Sequence, residues 1–244
     1  MIKQLQDNRA VLLGAVAIFA LGLTTSGYVL GDGLRRAKMA ERSVTVRGVS
    51  ERDVVANLAT WSVQFSAKGS DLAPVQQSVD AQARRVRDFF RAAGFKPEDV
   101  TDANVSVSRE RDSDDPDAPD RVVVRRTIQL RTADVLKTRE AFARQAELLR
   151  GGVEMTSSDV NYTFTRLNAL KPEMIAEATR NARGSAEEFA RDSGASVGSI
   201  KSASQGYFSI GPRDGEECEG CGSGGSTSPF QKVRVVTTID YDLG

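Results

Sequence analysis

The chain of 244 residues contains no histidine, only two cysteines and one tryptophan. Without imidazole it lacks the usual proton carrier near neutral pH and the central residue of Ser-His-Asp and Cys-His catalysis. Zinc sites that need imidazole are excluded too. Neither a P-loop pattern nor a G-x-G-x-x-G pattern opening a helix after a strand is present. We therefore predict that the protein is not an enzyme and has no catalytic residues, no cofactor and no metal site.

An excess of charge of either sign is also missing, because 33 Lys and Arg balance 33 Asp and Glu. A net charge of zero removes the phosphate attraction on which most nucleic-acid binders depend. With 40% apolar and 27% charged residues, the composition is that of an ordinary globular domain. We expect a folded body and no nucleic-acid partner.

One long segment without charge runs from Ala10 to Gly31. As a helix it would measure about 33 Å, enough to cross a hydrocarbon core of about 30 Å. The sequence therefore predicts a short cytoplasmic tail at 1–9, a transmembrane signal anchor at 10–31 and a linker at 32–42. A cleaved signal peptide with Lys3 and Arg9 at its start is the alternative, but no convincing A-x-A site follows.

The flanking charges bear on the orientation of this span, because more basic residues follow it than precede it. Taken literally, the positive-inside rule would leave the large C-terminal body in the cytoplasm. Large domains, however, translocate largely regardless of flanking charge. We expect a single-pass inner-membrane protein with its C-terminal domain in the periplasm.

From Ser43 onward, apolar residues alternate with period 2 in several segments, which predicts strands. Ala59, Trp61, Val63 and Phe65 put every second side chain on one apolar face. A hairpin with a long polar tip is expected between about 105 and 130. The segment from Lys232 to Leu243 alternates in the same way, and we expect it to form a sheet edge.

Three helices are predicted between the strands. The first carries a stripe from Leu72 to Phe90, with Asp71 as its N-cap and Gly94 as its end. The second is indicated by apolar residues seven apart, and the third has Pro172 in its first turn. Their expected apolar faces are Val135, Phe142 and Leu149 for the second, and Ile175, Ala178, Ala182, Ala186 and Phe189 for the third. The fold class is α+β, with antiparallel sheets packed against about three helices.

Cys218 and Cys221 form the one motif with a reactive spacing, in a Cys- and Gly-rich loop predicted at 211–229. A catalytic dithiol needs a lowered thiol pKa, whereas the neighbouring glutamates would raise it. Two thiolates also fall short of the four ligands of a structural zinc site. The remaining interpretations are a local disulfide or two idle thiols.

An acidic tract fills the expected hairpin tip between Glu110 and Asp120. Carboxylates are ligands for calcium, but the tract lacks the EF-hand glycine and the bidentate glutamate. A solvated turn is the alternative.

Five arginines are candidates for contact with a partner: Arg84, Arg85, Arg87, Arg91 and Arg126. The first four lie largely off the apolar stripe of the first helix, where they can bind lipid headgroups or carboxylates or simply face solvent. Arg126 interrupts an apolar strand face. It either extends to solvent at a sheet edge or meets a carboxylate across a subunit contact.

Four stretches together carry a family resemblance: 44–52 (VTVRGVSER), 57–65 (NLATWSVQF), 167–183 (LNALKPEMIAEATRNAR) and 233–238 (VRVVTT). They are similar to the SIMPL-domain family of bacterial envelope proteins, whose oxidative-stress-linked periplasmic members are the best known. The likeness covers roughly Ser43 to Leu243, so we expect one SIMPL-like domain at 43–244. The loop at 211–229 resembles an insertion into that domain.

The resemblance implies an α+β fold, an envelope location, assembly of some members into large rings and no established enzymatic activity. We therefore expect a non-enzymatic, membrane-anchored scaffold that forms a homo-oligomer and is linked to stress tolerance. Two alternatives stay open. One is a carrier or sensor with a cavity for a lipid or small apolar ligand, lined by Trp61, Phe65, Phe90 and Phe142. The other is a dithiol redox protein using Cys218 and Cys221.

Overall fold

The computed structural model describes residues 19, 21–33, 42–111, 120–214 and 226–244. After a helical segment at 21–33, strands and helices alternate along the chain. The strands are β1 (Ser43–Val55), β2 (Leu58–Gly69), β3 (Val100–Glu110), β4 (Arg121–Thr132), β5 (Met155–Thr163), β6 (Val197–Gln205), β7 (Ser209–Pro212) and β8 (Phe230–Leu243). The helices are α1 (Leu72–Ala92), a 3-10 turn (Pro97–Asp99), α2 (Val135–Ala143), α3 (Ala146–Arg150) and α4 (Leu167–Asp192).

The described strands form two sheets. Sheet I has the order β1-β8-β6, with β7 also paired to β8, and sheet II has the order β3-β4-β2-β5. The registered pairs of both sheets are antiparallel. The expectation of antiparallel sheets with helices is therefore confirmed. The expectation that Lys232 to Leu243 forms an edge is wrong, because β8 lies between β1 and β6.

The chain divides into two compact units. Unit 1 takes the described residues within Met1–Val49, Ala176–Gly206 and Val236–Gly244, and unit 2 takes those within Ser50–Ile175 and Tyr207–Val235. Strands β1 and β8 and helix α4 each contribute residues to both units. Each unit has its own apolar cluster.

In unit 2, helix α1 packs on β2 and β4. The predicted alternation in β2 is confirmed, because the side chains from Ala59 to Phe65 that share the apolar face are fully buried. The predicted stripe of α1 is buried as well, except for Leu72 at its start. Trp61 lies at the centre, in edge-to-face contact with the rings of Phe89, Phe90 and Phe142 at centroid distances of 5.9, 5.0 and 5.2 Å.

In unit 1, helix α4 uses small side chains instead. Ala178, Ala182 and Ala186 are fully buried, and the last two join Val44, Ile239 and Tyr241 in one cluster. Gly48 of β1 lies so close to the helix that an added Cβ would stand 1.9 Å from the carbonyl oxygen of Ala178. Only glycine permits this approach, because a side chain there would overlap helix backbone.

The second predicted helix is in fact two short helices, α2 and α3. The chain leaves α-helical geometry at Arg144 and Gln145, whose N–H groups donate to carbonyls three residues earlier. This tighter turn rotates the following residues, so that Leu148 is buried while Leu149 is 55% exposed. The expectation that Leu149 shares a face with Val135 and Phe142 is therefore wrong.

Helix α4 begins five residues before Pro172, which lies inside it rather than beside its start. Its buried face contains Met174 and Ala190, whereas the expected Ile175 is half-buried and Phe189 is 53% exposed. The face is thus a strict four-residue repeat from Met174 to Ala190. The sequence favours Phe189 for this face because it is more apolar than its neighbour Ala190, but the structure buries Ala190.

Both ends of α1 lie where the sequence predicts them, but only the C-terminal end has the expected chemistry. Asp71 is the N-cap residue, yet its side chain makes no capping hydrogen bond. Gly94 adopts φ +84°, the left-handed conformation expected of a residue that ends a helix.

The predicted span at 10–31 falls partly on residues that the structure does not describe. Among the residues that it does describe, no helix has the length and apolar character to cross a membrane.

Candidate interaction surface at strand β3

Over the described residues, the strands with an open side are β1, β6 and the four-residue β7 in sheet I, and β3 and β5 in sheet II. Three of these edges are modified. The β1 carbonyl of Val49 accepts a hydrogen bond from Asn181 Nδ2 at 2.9 Å, and Tyr162 of β5 exchanges two backbone hydrogen bonds with Ser226. Strand β6 pairs with β8 through two register shifts. Such features reduce the ability of an edge to accept another strand.

Strand β3 is the longest edge in sheet II, with 11 residues, and it has a single register shift. Val105 and Val107 are 49% and 55% exposed, although they stand opposite Arg126 and the fully buried Val124. Helix α1 packs on β4 and β2, whereas Val105 and Val107 on the same side of β3 stay exposed. The β3 edge therefore combines an exposed apolar pair with backbone groups that no other described strand pairs.

The sequence of β3 explains why both of its faces tolerate solvent. Valine alternates with serine from Val105 to Ser108, so the strand is apolar on one side and hydroxyl-rich on the other. On the hydroxyl-rich side, Arg125 of β4 donates to Ser108 Oγ at 3.1 Å and pairs with Glu110. This contact lies on the side of the sheet away from the valines.

Beside the valines lies an ion cluster centred on Arg126, whose side chain is only 15% exposed. Its guanidinium donates to Asp102 of β3 at 2.8 Å and to Asp80 of α1 at 2.7 Å. Arg87 of α1 pairs with the other oxygen of Asp102. The hydrogen bond from Arg126, together with the nearby positive charges, lowers the pKa of Asp102, although burial of the carboxyl opposes this.

The structure corrects the interpretation of Arg126 that was based on the sequence. Strand β4 lies between β3 and β2, so Arg126 is not at a sheet edge. The carboxylates expected across a subunit contact belong to its own chain, on α1 and β3. Alternation along β4 places Arg126 on the helix-facing side, but only the pairing of strands shows which acids stand beside it.

The four helix arginines have different surroundings. Arg85 donates to the carbonyl oxygen of Gly152 at 3.0 Å, and Arg91 pairs with Asp88 at 2.7 Å. Arg87 belongs to the ion cluster. Arg84 is exposed and makes no hydrogen bond or ion pair within the described part of the chain. Contact of these residues with a partner remains a prediction.

The side chains expected to line a ligand cavity pack against one another instead. Trp61, Phe65 and Phe90 are fully buried, and Phe142 closes on the Trp61 ring. The indole N–H of Trp61 donates to Ser158 Oγ at 2.9 Å, which satisfies its one polar group. Trp61, Phe65 and Phe90 belong to the apolar cluster of unit 2, and Phe142 packs against it. Binding of a lipid or small apolar ligand stays a prediction.

The remaining predicted sites lie outside the described residues. They are Cys218 and Cys221 in the predicted loop and the middle of the acidic tract, Asp112, Asp114, Asp115 and Asp117. Their interpretations stay predictions. The two outer acids of the tract are described: Glu110 pairs with Arg125, and Asp120 pairs with Arg111.

Sequence reasoning missed the β3 edge as a surface. The available signal was the Val-Ser-Val-Ser alternation, which indicates a half-exposed strand. Alternation does not reveal whether a strand lies inside a sheet or at its edge.

Comparison with known proteins shows a family and a curated relative to which the chain is similar. The family model SIMPL, described as a protein of unknown function (DUF541), matches residues 44–241. An uncharacterized protein YggE from Edwardsiella ictaluri (strain 93-146) is 26% identical over 168 residues, which is 65% of this chain. The chain spans 66% of that relative's length, just under two thirds.

Proposed function

The chain belongs to the SIMPL family, and on that premise we propose that it is a non-enzymatic, membrane-anchored envelope protein whose domain self-associates as a scaffold. In this proposal residues 10–31 are the anchor, the SIMPL domain lies in the periplasm, and the assembly contributes to stress tolerance. The single observation that carries self-association is the open β3 edge with its exposed Val105 and Val107.

The physical reason is that an edge strand gains main-chain hydrogen bonds when another strand adds to it. Apolar side chains on the same strand then lose their contact with water, which favours the pairing further. Edges that must stay single are shortened, carry inward-pointing charges or are distorted by bulges. Strand β3 has 11 residues; its one bulge lies near its start, and two neighbouring valines follow the bulge on its open side.

Self-association is tested by light scattering of the full chain in mild detergent over a range of concentrations. We expect an assembly that dissociates on dilution and is weakened by Val107→Lys, because the new charge would have to be desolvated. Leu149→Lys is the matched control, since Leu149 is equally exposed at 55% but lies on α3. A chain that stays monomeric at tens of micromolar would refute the scaffold.

Anchoring is tested separately by washing membranes at alkaline pH. The full chain should stay with the membrane fraction, whereas a chain that starts at Arg42 should be released. Release of the full chain would contradict the anchor and leave the β3 surface untouched.

A further inference from the structure

We propose that β3 pairs antiparallel with β3 of a second copy of the chain, about a twofold axis through Ser106. The proposal rests on the self-association proposed above and names its contact. It joins sheet II of both copies into one continuous sheet. Three features of β3 select this arrangement: its apolar pair, its bulge and Arg109, for which the described part of the chain offers no ion pair.

The apolar pair limits the register. In a twofold pair each residue faces a residue on the same side of the sheet. With the axis at Ser106, Val105 stands opposite Val107 of the partner subunit, and Val107 opposite the partner's Val105. A slip by one residue would move these side chains to the opposite face. Two exposed apolar pairs are thus buried against each other at the centre of the contact.

The bulge then brings opposite charges together. Asp102 pairs with Ile128 and Asn104 with Thr127, so Ala103 is the additional residue and Asp102 lies on the valine side. Counting across the bulge, Arg109 stands opposite Asp102 of the partner subunit. Arg109 is exposed and makes no ion pair within the described ranges.

In the two neighbouring registers, Arg109 no longer stands opposite Asp102 of the partner subunit. A shift of the twofold axis by one residue toward Val105 places Arg109 opposite the partner's Val100. A shift toward Val107 places Arg109 opposite the partner's Val105. The carboxylate of Asp102 already binds Arg126 and Arg87, and its lone pairs leave room for a third donor. The register at Ser106 is the one of the three that gives Arg109 a carboxylate.

The other side of the pair carries no conflicting charge near the axis. Ser106 faces Ser106 of the partner subunit, and Asn104 faces the partner's Ser108. These side chains are short and form hydrogen bonds, so they tolerate close approach across strands. Glu110 keeps its pairing with Arg125 of its own chain.

Disulfide trapping in the full chain tests the register, with Cys218→Ser and Cys221→Ser removing the native thiols. Ser106→Cys places two thiols directly opposite each other, at about 4.5 to 5.5 Å between Cα atoms, within disulfide range. Ser108→Cys is the matched control, because each copy would lie about 13 Å from its symmetry mate. In a glutathione redox buffer we expect Ser106→Cys to form mostly covalent dimer and Ser108→Cys to form at least tenfold less.

A charge variant gives an independent readout. Arg109→Asp should raise the dissociation constant of the dimer about tenfold, because two exposed ion pairs become repulsive. Arg109→Lys should leave it within about threefold. If the chain self-associates but both cysteine variants cross-link equally, or Arg109→Asp has no effect, the β3 register is wrong while the scaffold stands. If the chain is monomeric, both proposals fall.

Discussion

Each of the two units packs a helix against a sheet, but with a different kind of side chain. Unit 2 places α1 on its sheet through Trp61 and several phenylalanines, whereas unit 1 places α4 through alanines and Gly48. Large rings fill volume and tolerate a small shift of the helix. Small side chains let helix and strand backbones approach, which leaves no room for an added methyl group.

The difference predicts opposite sensitivities. A core of rings is damaged by removing atoms, since a cavity remains. A close backbone approach is damaged by adding them, because backbone cannot move aside as a side chain can. Substitutions that change volume in opposite directions should therefore separate the units.

The largest effect is expected for Trp61→Ala in unit 2. The indole is fully buried and contacts three phenyl rings, so its loss should lower the free energy of unfolding by about 4 kcal/mol. Urea unfolding followed by circular dichroism gives the value. A loss below about 1 kcal/mol would mean that the rings collapse into the space and that the aromatic core is not rigid.

Gly48→Ala in unit 1 should cost about 3 kcal/mol although it adds a single methyl group. The new Cβ would stand 1.9 Å from Ala178 O and 2.5 Å from Ala182 N, so α4 must shift away from β1. Hydrogen exchange should show faster opening of α4 amides between Ala178 and Ala190. Unchanged exchange and stability would show that the approach is looser than the structure has it.

A smaller effect on stability, at most about 1 kcal/mol, is expected in unit 2 from protonation of Asp102 at acidic pH. The hydrogen bond from Arg126 holds the pKa of Asp102 below its ordinary value. A lowered folded pKa stabilises above about pH 4, the unfolded pKa, and this contribution is lost as pH falls through the folded pKa. The stability difference between wild type and Asp102→Asn should shrink from pH 6 to pH 3 in urea titrations. A difference independent of pH would contradict the ion cluster.

The smallest effect is a gain of about 0.5 kcal/mol for Gly184→Ala. Gly184 lies inside α4, and nothing stands within 4 Å of an added Cβ. Alanine removes the conformational entropy that glycine loses in a helix. Thermal unfolding of both variants compares two glycine substitutions in unit 1. Gly184→Ala is expected to raise the stability, and Gly48→Ala is expected to lower it. A loss of stability at Gly184 would show that this side of α4 is also covered.

Local features of the fold were predictable because they depend on neighbours along the chain. The alternation at Ala59 to Phe65, the stripe that ends at Phe90 and the turn at Gly94 follow from repeat periods and glycine conformation. The family, too, was recognisable from short stretches of sequence. Where the local pattern was broken, as at Arg144, the assignment of Leu149 failed.

Pairing between distant strands was not predictable. Strand β8 shows the same alternation whether it lies inside a sheet or at an edge, and β3 gives no local sign that it ends the strand order of its sheet among the described residues. Likewise, the acids around Arg126 come from residues 80 and 102, which only the sheet register brings to one place. The surface proposed for function was therefore invisible to periodicity.

The central place of β8 in sheet I also affects the order of events during biosynthesis. Strand β8 follows every other described element, yet it separates β1 from β6. Strand β1 is therefore synthesised well before the strand that joins it to β6, and closing such a distant contact is slow. Until β8 is synthesised, β1 and β6 carry unpaired backbone groups on the sides that β8 will occupy. We expect a chaperone that shields extended segments to bind the chain mainly at this stage.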